Sequence, residues 1–137
     1  MGYESKIYFC RRYNHLYLNK KYHPSEIIAQ IDMCKMGYSD AIIKFRNLFN
    51  RETDFTLFIN DYNGETEREE LMDVIEDRYG DRLCYGDITE LRKQMSNVIK
   101  ESEENGQPYW RFYLLYDMLR SFEINGGEDI YVVHYGY

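Results

Sequence analysis

The sequence lacks a long hydrophobic run. Its longest apolar stretch, Phe112 to Tyr116, falls far short of the roughly 20 residues that cross a bilayer, so no membrane partnership is expected. No apolar run stands near Met1, so no secretory signal is expected either, and Lys6 occupies the position where a myristoylation signal needs Ser or Thr. Cysteine is sparse: Cys10, Cys34 and Cys84 form no C-x-x-C pair. An odd number of cysteines so far apart argues against a disulfide framework and for a reducing, cytoplasmic setting. Positive charge is short as well, with 17 bases against 24 acids and a net charge of −7. A general DNA-coating role needs a cationic surface, so direct nucleic-acid binding is not expected. Phosphate-loop and nucleophile-elbow motifs are both missing, and no catalytic residue or cofactor is assigned.

What remains is a chain of 137 residues, 44% apolar and 17% aromatic, whose size suits a single domain spanning residues 1–137. Fifteen tyrosines are its compositional peculiarity. The charge is also unevenly placed. Residues 1–60 hold nine bases and six acids, residues 61–90 hold three bases and eleven acids, and residues 91–137 hold five bases and seven acids. The middle stretch alone is net −8. Its centre, Glu65 to Glu70, is too polar to bury, because each unpaired ion removed from water costs several kcal/mol. It must face solvent or a cationic partner.

Alternation of Ile7 and Phe9 with Lys6 and Tyr8 predicts a half-buried strand over Ser5 to Tyr13. Asn14-His15 and Asn19-Lys20-Lys21 read as polar turns. Pro24 suits the first turn of a helix, and Ile27, Ile28, Ile31 and Cys34 follow at helical spacing, with Gly37 as a stop. A short helix is expected over Asp40 to Phe49 and a strand over Asp54 to Asn60, closed by Asp61-Tyr62-Asn63-Gly64. The next segment admits two readings. Thr66 to Glu69 matches a capping box for a helix from Glu67 to Asp77, whereas Asp73 to Asp77 can be a strand returning through Arg82 to Tyr85; the strand is preferred. Asp87-Ile88-Thr89-Glu90 is a second capping box, opening a helix with Leu91, Met95, Val98 and Ile99 on one face. A further helix runs from Pro108 to about Phe122. It has Phe112, Leu115, Tyr116 and Leu119 on one side and Trp110, Tyr113 and Leu114 on another, a pattern that predicts a central position in the core. Asp129 to Tyr135 reads as an interior strand. The sum is an α+β fold: a mainly antiparallel sheet containing the N- and C-terminal strands, with three or more helices packed on one face.

Candidate chemistry is thin. The cysteines and histidines form no pair at zinc-ligand spacing, and Asp61, Asn63 and Glu65 begin a calcium-loop pattern that fails at Thr66 and Met72, so no metal is assigned. Cys84 and His134 can act as thiol and base only where the fold joins them. The basic N-terminal part interleaves Tyr3, Tyr8, Tyr13, Tyr17 and Tyr22 with arginine and lysine, and Arg11, Arg12 and Tyr13 there form an alternative site for a small ligand or signalling nucleotide. The plainer explanation of the tyrosines is that they pave a small sheet.

The opening Met1-Gly2-Tyr3-Glu4-Ser5-Lys6-Ile7-Tyr8, the central Ile75-Glu76-Asp77-Arg78-Tyr79-Gly80-Asp81 and the closing Val132-Val133-His134-Tyr135-Gly136-Tyr137 together resemble a group of small phage and prophage proteins of Gram-positive bacteria. The segment Glu65 to Met72 looks longer here than in similar sequences. The resemblance transfers no catalytic residues. It implies a non-enzymatic interaction protein working in the bacterial host cytosol, inhibiting a defence or nucleic-acid-handling enzyme in the manner of an anti-CRISPR protein. Carboxylates in a row can occupy a basic groove built for phosphates. Glu65, Glu67, Glu69, Glu70, Asp73, Glu76 and Asp77 are the expected contacts to a host protein with a basic surface, a nuclease being one such protein.

Overall fold

The computed structural model describes residues 4–13, 21–34, 36–127 and 129–137. Tyr3, Tyr17 and most of the two expected polar turns after Tyr13 lie outside the described residues. The elements are β1 (Ser5–Arg12), β2 (His23–Asp32), α1 (Asp40–Asn47), β3 (Arg51–Glu52), β4 (Phe55–Asn63), β5 (Arg68–Val74), β6 (Cys84–Gly86), α2 (Ile88–Glu104), α3 (Trp110–Asn125) and β7 (Ile130–Gly136). The fold is α+β. Its strands form one curled sheet in the order β3-β6-β7-β1-β2-β4-β5. Pairing is antiparallel except between β2 and β4, which run parallel and meet only at His23–Phe55 and Pro24–Thr56. β1 and β7, from the two ends of the chain, are neighbours in the middle of the sheet.

Alternation along these central strands feeds two separate cores. Ile7 and Phe9 of β1 and Val132 of β7 face the three helices, meeting Ile42 and Phe45 of α1, Leu91, Met95 and Val98 of α2, and Phe112, Leu115 and Leu119 of α3. Tyr8 and Cys10, with Val133 and Tyr135, face the other way and are covered by Phe55, Leu57 and Ile59 of β4 and Val74 of β5. The β4–β5 hairpin therefore folds over the sheet face that the helices leave open. This corrects the half-buried reading of β1: Tyr8 and Cys10 are as buried as Ile7 and Phe9. Tyr131 stacks edge-on against both Phe55 and Tyr85, so several tyrosines do pave the sheet, their rings supplying apolar area.

The helix expected from Pro24 to Cys34 is instead strand β2, paired with β1 from Lys6–Asp32 to Arg12–Ser25. Isoleucines are at home in either structure; what decides here is the buried edge of β1, whose backbone groups need a partner. A bulge explains why the sequence looked helical. Phe9 pairs with Ala29 and Cys10 with Ile27, so Ile28 is an extra residue on β2, and the apolar positions fall out of strict alternation. The expectation for α3 also fails on one side. Phe112, Leu115 and Leu119 are buried, but Trp110, Tyr113 and Leu114 face solvent, so α3 is an outer helix with one packed stripe.

The ambiguous acidic segment is a strand, placed earlier than expected. β4 continues through Asn63, and β5 pairs with it from Leu57–Val74 to Asn63–Arg68. The return anticipated near Arg82 survives as a single bridge, Glu76 to Arg82, followed by β6. α1 and α2 form where the sequence put them: Ser39 caps α1 through Ile42 N–H and Asp87 caps α2 through Glu90 N–H, each satisfying a donor that has no partner within its helix.

Gly136 closes the junction of the chain ends. It has φ +99°, and a Cβ there would lie 1.9 Å from the Glu4 carbonyl oxygen. Gly136→Ala is expected to lower unfolding stability by about 2 kcal/mol or more, read as a reduced denaturation midpoint; an unchanged midpoint contradicts this packing.

Candidate functional site

The hairpin that closes the second core has two different faces. On its inner face Asp61 follows Phe55, Leu57 and Ile59 and is only 3% exposed. A buried carboxylate needs partners, and it has several. The Tyr135 hydroxyl donates to Asp61 Oδ1 at 2.6 Å, and the Tyr62 N–H donates to the same oxygen at 2.8 Å. Arg78 approaches from the following loop: its guanidinium lies 3.5 Å from Asp61, 3.1 Å from Glu69 and 2.9 Å from Glu4, while its backbone N–H donates to the Tyr135 hydroxyl at 3.1 Å. Burial, and then the hydrogen bond to Asp61, push the Tyr135 phenol well above its ordinary pKa. Burial works to lower the Arg78 pKa, but its contacts with Tyr135 and Glu69 and the charge of Glu4 outweigh it and raise the guanidinium. One cation thus ties the N-terminus, both hairpin strands and β7 together.

The outer face is built by register. Phe58 stands opposite Asp73, Asn60 opposite Leu71, and Tyr62 opposite Glu69. Phe58 and Tyr62 are therefore the diagonal neighbours of Leu71, within reach of one another across the pair. These three are 57%, 46% and 66% exposed, and Glu69 and Asp73 flank them. Exposed apolar side chains grouped beside charge are one form that a recognition surface takes. At the hairpin turn Glu67 has φ +58°, the one non-glycine residue with a positive φ among those described. A left-handed conformation costs a non-glycine residue about 1–2 kcal/mol, so the turn holds this carboxylate at an energetic disadvantage.

Of the expected contact residues, Glu65, Glu67, Glu69, Asp73 and Glu76 are exposed on this hairpin and its flanks, and Glu70 is half-buried. Glu70 accepts from Asn63 Nδ2 at 3.1 Å on the inner face. Asp77 departs from the expectation that it faces a partner: it is buried, and its Oδ1 accepts the N–H groups of Tyr79 and Asp81. Asp side chains close turns in this way wherever the backbone bends back, and burial raises its pKa despite these bonds. The alternative ligand group is not gathered into one site. Alternation sends Arg11 and Arg12 to opposite faces of β1; Arg11 lines a cleft of about 310 Å³ with Glu26 and Phe122, whereas Arg12 is paired with Asp54 at 3.2 Å. Tyr13 continues past the strand, its N–H bonded to the Pro24 carbonyl.

Cys84 and His134 are joined by the fold, as register partners across β6 and β7. Their chemistry is nonetheless quiet. Burial, and then the charge of Glu52, raise the Cys84 thiol, and its Sγ–H points to the Arg82 carbonyl. His134 Nε2 is occupied by Ser5 Oγ at 2.9 Å, and burial, with the nearby Arg46 charge, lowers its pKa to about 4. A protonated thiol beside a neutral imidazole is not an activated pair. Among the described residues no cluster of His, Cys, Asp and Glu could hold a metal ion, and no helix is long and apolar enough to cross a membrane.

Compared with protein-family models, curated proteins and solved structures, the chain matches none. The reading of the site therefore rests on its own geometry. Asp61, Tyr135 and Arg78 were missed as a group because nothing local links positions so far apart. The one available signal was Asp61 itself, at the inward position of an alternating strand.

Two measurements follow. Tyr135→Phe is expected to destabilise the fold by about 1–3 kcal/mol, because Asp61 keeps its burial and loses its shortest donor; equal stability would contradict the network. The His134 pKa near 4 lies below its unfolded value of 6.5, so the unfolded chain binds the proton first as pH falls. Its contribution is complete above pH 6.5 and is lost between pH 6.5 and 4, amounting to about 3 kcal/mol. His134→Gln should remove that part of the pH dependence of unfolding; an identical slope in the variant would contradict it.

Proposed function

We propose that the protein is a non-enzymatic binding protein that covers a basic surface of another protein with the outer face of the β4–β5 hairpin. The observation that carries this reading is the coincidence, on one small face, of Phe58, Tyr62 and Leu71 with Glu69 and Asp73, next to the exposed turn that holds Glu67. The apolar side chains supply anchors that can be desolvated, and the carboxylates supply long-range steering toward cationic partners. The stretch 61–90 holds all of the chain's excess negative charge, the remainder being close to neutral. Partner recognition therefore has one electrostatic pole. The strained Glu67 fits the same reading, since a conformational cost kept at an exposed turn calls for a compensating role. In line with the resemblance to phage proteins, the partner class we favour is a host defence or nucleic-acid-handling enzyme, whose phosphate-binding groove offers the required basic surface. Within the site, Glu65, Glu67, Glu69, Asp73 and Glu76 are the contact carboxylates, Glu70 lies at the margin, and Asp77 serves the turn.

The test is retention of host proteins on immobilised wild-type protein and on two variants. One carries Glu67→Lys and Asp73→Lys, the other Phe58→Ser and Leu71→Ser; all four positions are exposed, so the fold should persist. A basic protein held by the wild type and lost, by about tenfold or more, from both variants is the expected outcome. Retention that survives both variants would overturn the proposal.

A further inference from the structure

β5 is the last strand of the sheet, and among the described residues nothing pairs with its outer edge. It runs seven residues from Arg68 to Val74, free of proline and in unbroken register with β4. The opposite edge, β3, is only two residues long. An open strand of this length presents alternate N–H and C=O groups to any extended chain.

Charge decides which chain. A second copy would meet itself badly in the register that pairs the whole strand: antiparallel pairing centred on Leu71 sets Glu69 opposite the copy's Asp73 at both ends. Like charges directly opposite destabilise a strand pair. Asp73 also accepts from Thr56 Oγ1 at 3.4 Å, and Glu69 shares Arg78 with Asp61 and Glu4. Three carboxylates against two cations, Arg78 and the Lys6 that pairs with Glu4 at 3.0 Å, leave that corner net negative.

We infer that β5 accepts an extended basic segment of the partner as an added strand, with side chains in the order basic, apolar, basic opposite Glu69, Leu71 and Asp73. This rests on the binding role proposed above and specifies how the partner is held. Backbone hydrogen bonds along the edge provide attachment without regard to sequence, and the alternating side chains set register and selectivity. The same carboxylates that keep two copies apart select the partner.

The probe is a ten-residue alternating peptide with lysine, leucine and lysine on one face and threonine on the other, titrated into the full chain at low salt. A second peptide has glutamates in place of the lysines, and a third is N-methylated on the backbone amides of one edge. The expected result is binding of the lysine peptide, slowed amide exchange over residues 68–74, and loss of binding by on the order of tenfold or more for the other two peptides and for Asp73→Lys. Equal binding of the N-methylated peptide with no change in exchange over residues 68–74 would overturn strand addition while leaving the electrostatic face intact. Failure of the lysine peptide to bind at all, in a chain that still retains a basic host protein through the hairpin, would also overturn it. Failure of both would remove the binding role itself.

Discussion

The hydrogen bond from Tyr135 to Asp61 is where the two halves of the molecule meet. β7 is the chain's last strand and sits in the middle of the sheet, while Asp61 lies far along the hairpin that curls over it. A carboxylate buried at this depth is tolerable only with donors in place, and the hydroxyl, a backbone N–H and Arg78 provide them. With those contacts the hairpin is fastened over Tyr8, Cys10 and Val133, and its other face is turned outward. The inner face of β4 is thus spent on the fold, and the outer face is left exposed.

That division accounts for how charge is distributed. The acidic stretch does not form a uniform solvated row. Asp77 is drawn into a turn, Asp61 into the core, and Glu69 is divided between Arg78 and the outer face. Glu69 and Asp73 flank an apolar patch on a two-stranded ribbon whose other face is packed on the core. Backbone already fixed in a strand pair has less conformational freedom to lose on binding than an unpaired segment of equal charge. The Ser5–His134 contact and the Cys84 thiol, by contrast, belong to the packing of β1, β6 and β7.

Much of this architecture was legible in the residues. The cap at Asp87, the short helix after Ser39, and the existence of β1, β4 and β7 as strands all follow from local patterns, because the forces responsible act within a few residues. The failures have a common physical source in long-range pairing. Ile27, Ile28 and Ile31 look helical only because a bulge displaces Ile28; the edge of β1 that makes them a strand lies elsewhere in the sequence. Trp110, Tyr113 and Leu114 read as core because apolar character does not say which helix face finds a neighbour. In the acidic stretch its exposure was legible from composition, but the fate of Asp77 and the patch around Leu71 required the register of β5.

The central claim is that recognition of a cationic protein surface by the outer face of the hairpin is the protein's role. The most direct measurement is the dissociation constant of the purified complex with a retained basic partner as a function of salt. The account predicts an affinity that falls steeply as salt rises from low to physiological and beyond, since exposed charges are screened over about 8–10 Å in that range. An affinity independent of salt would contradict it.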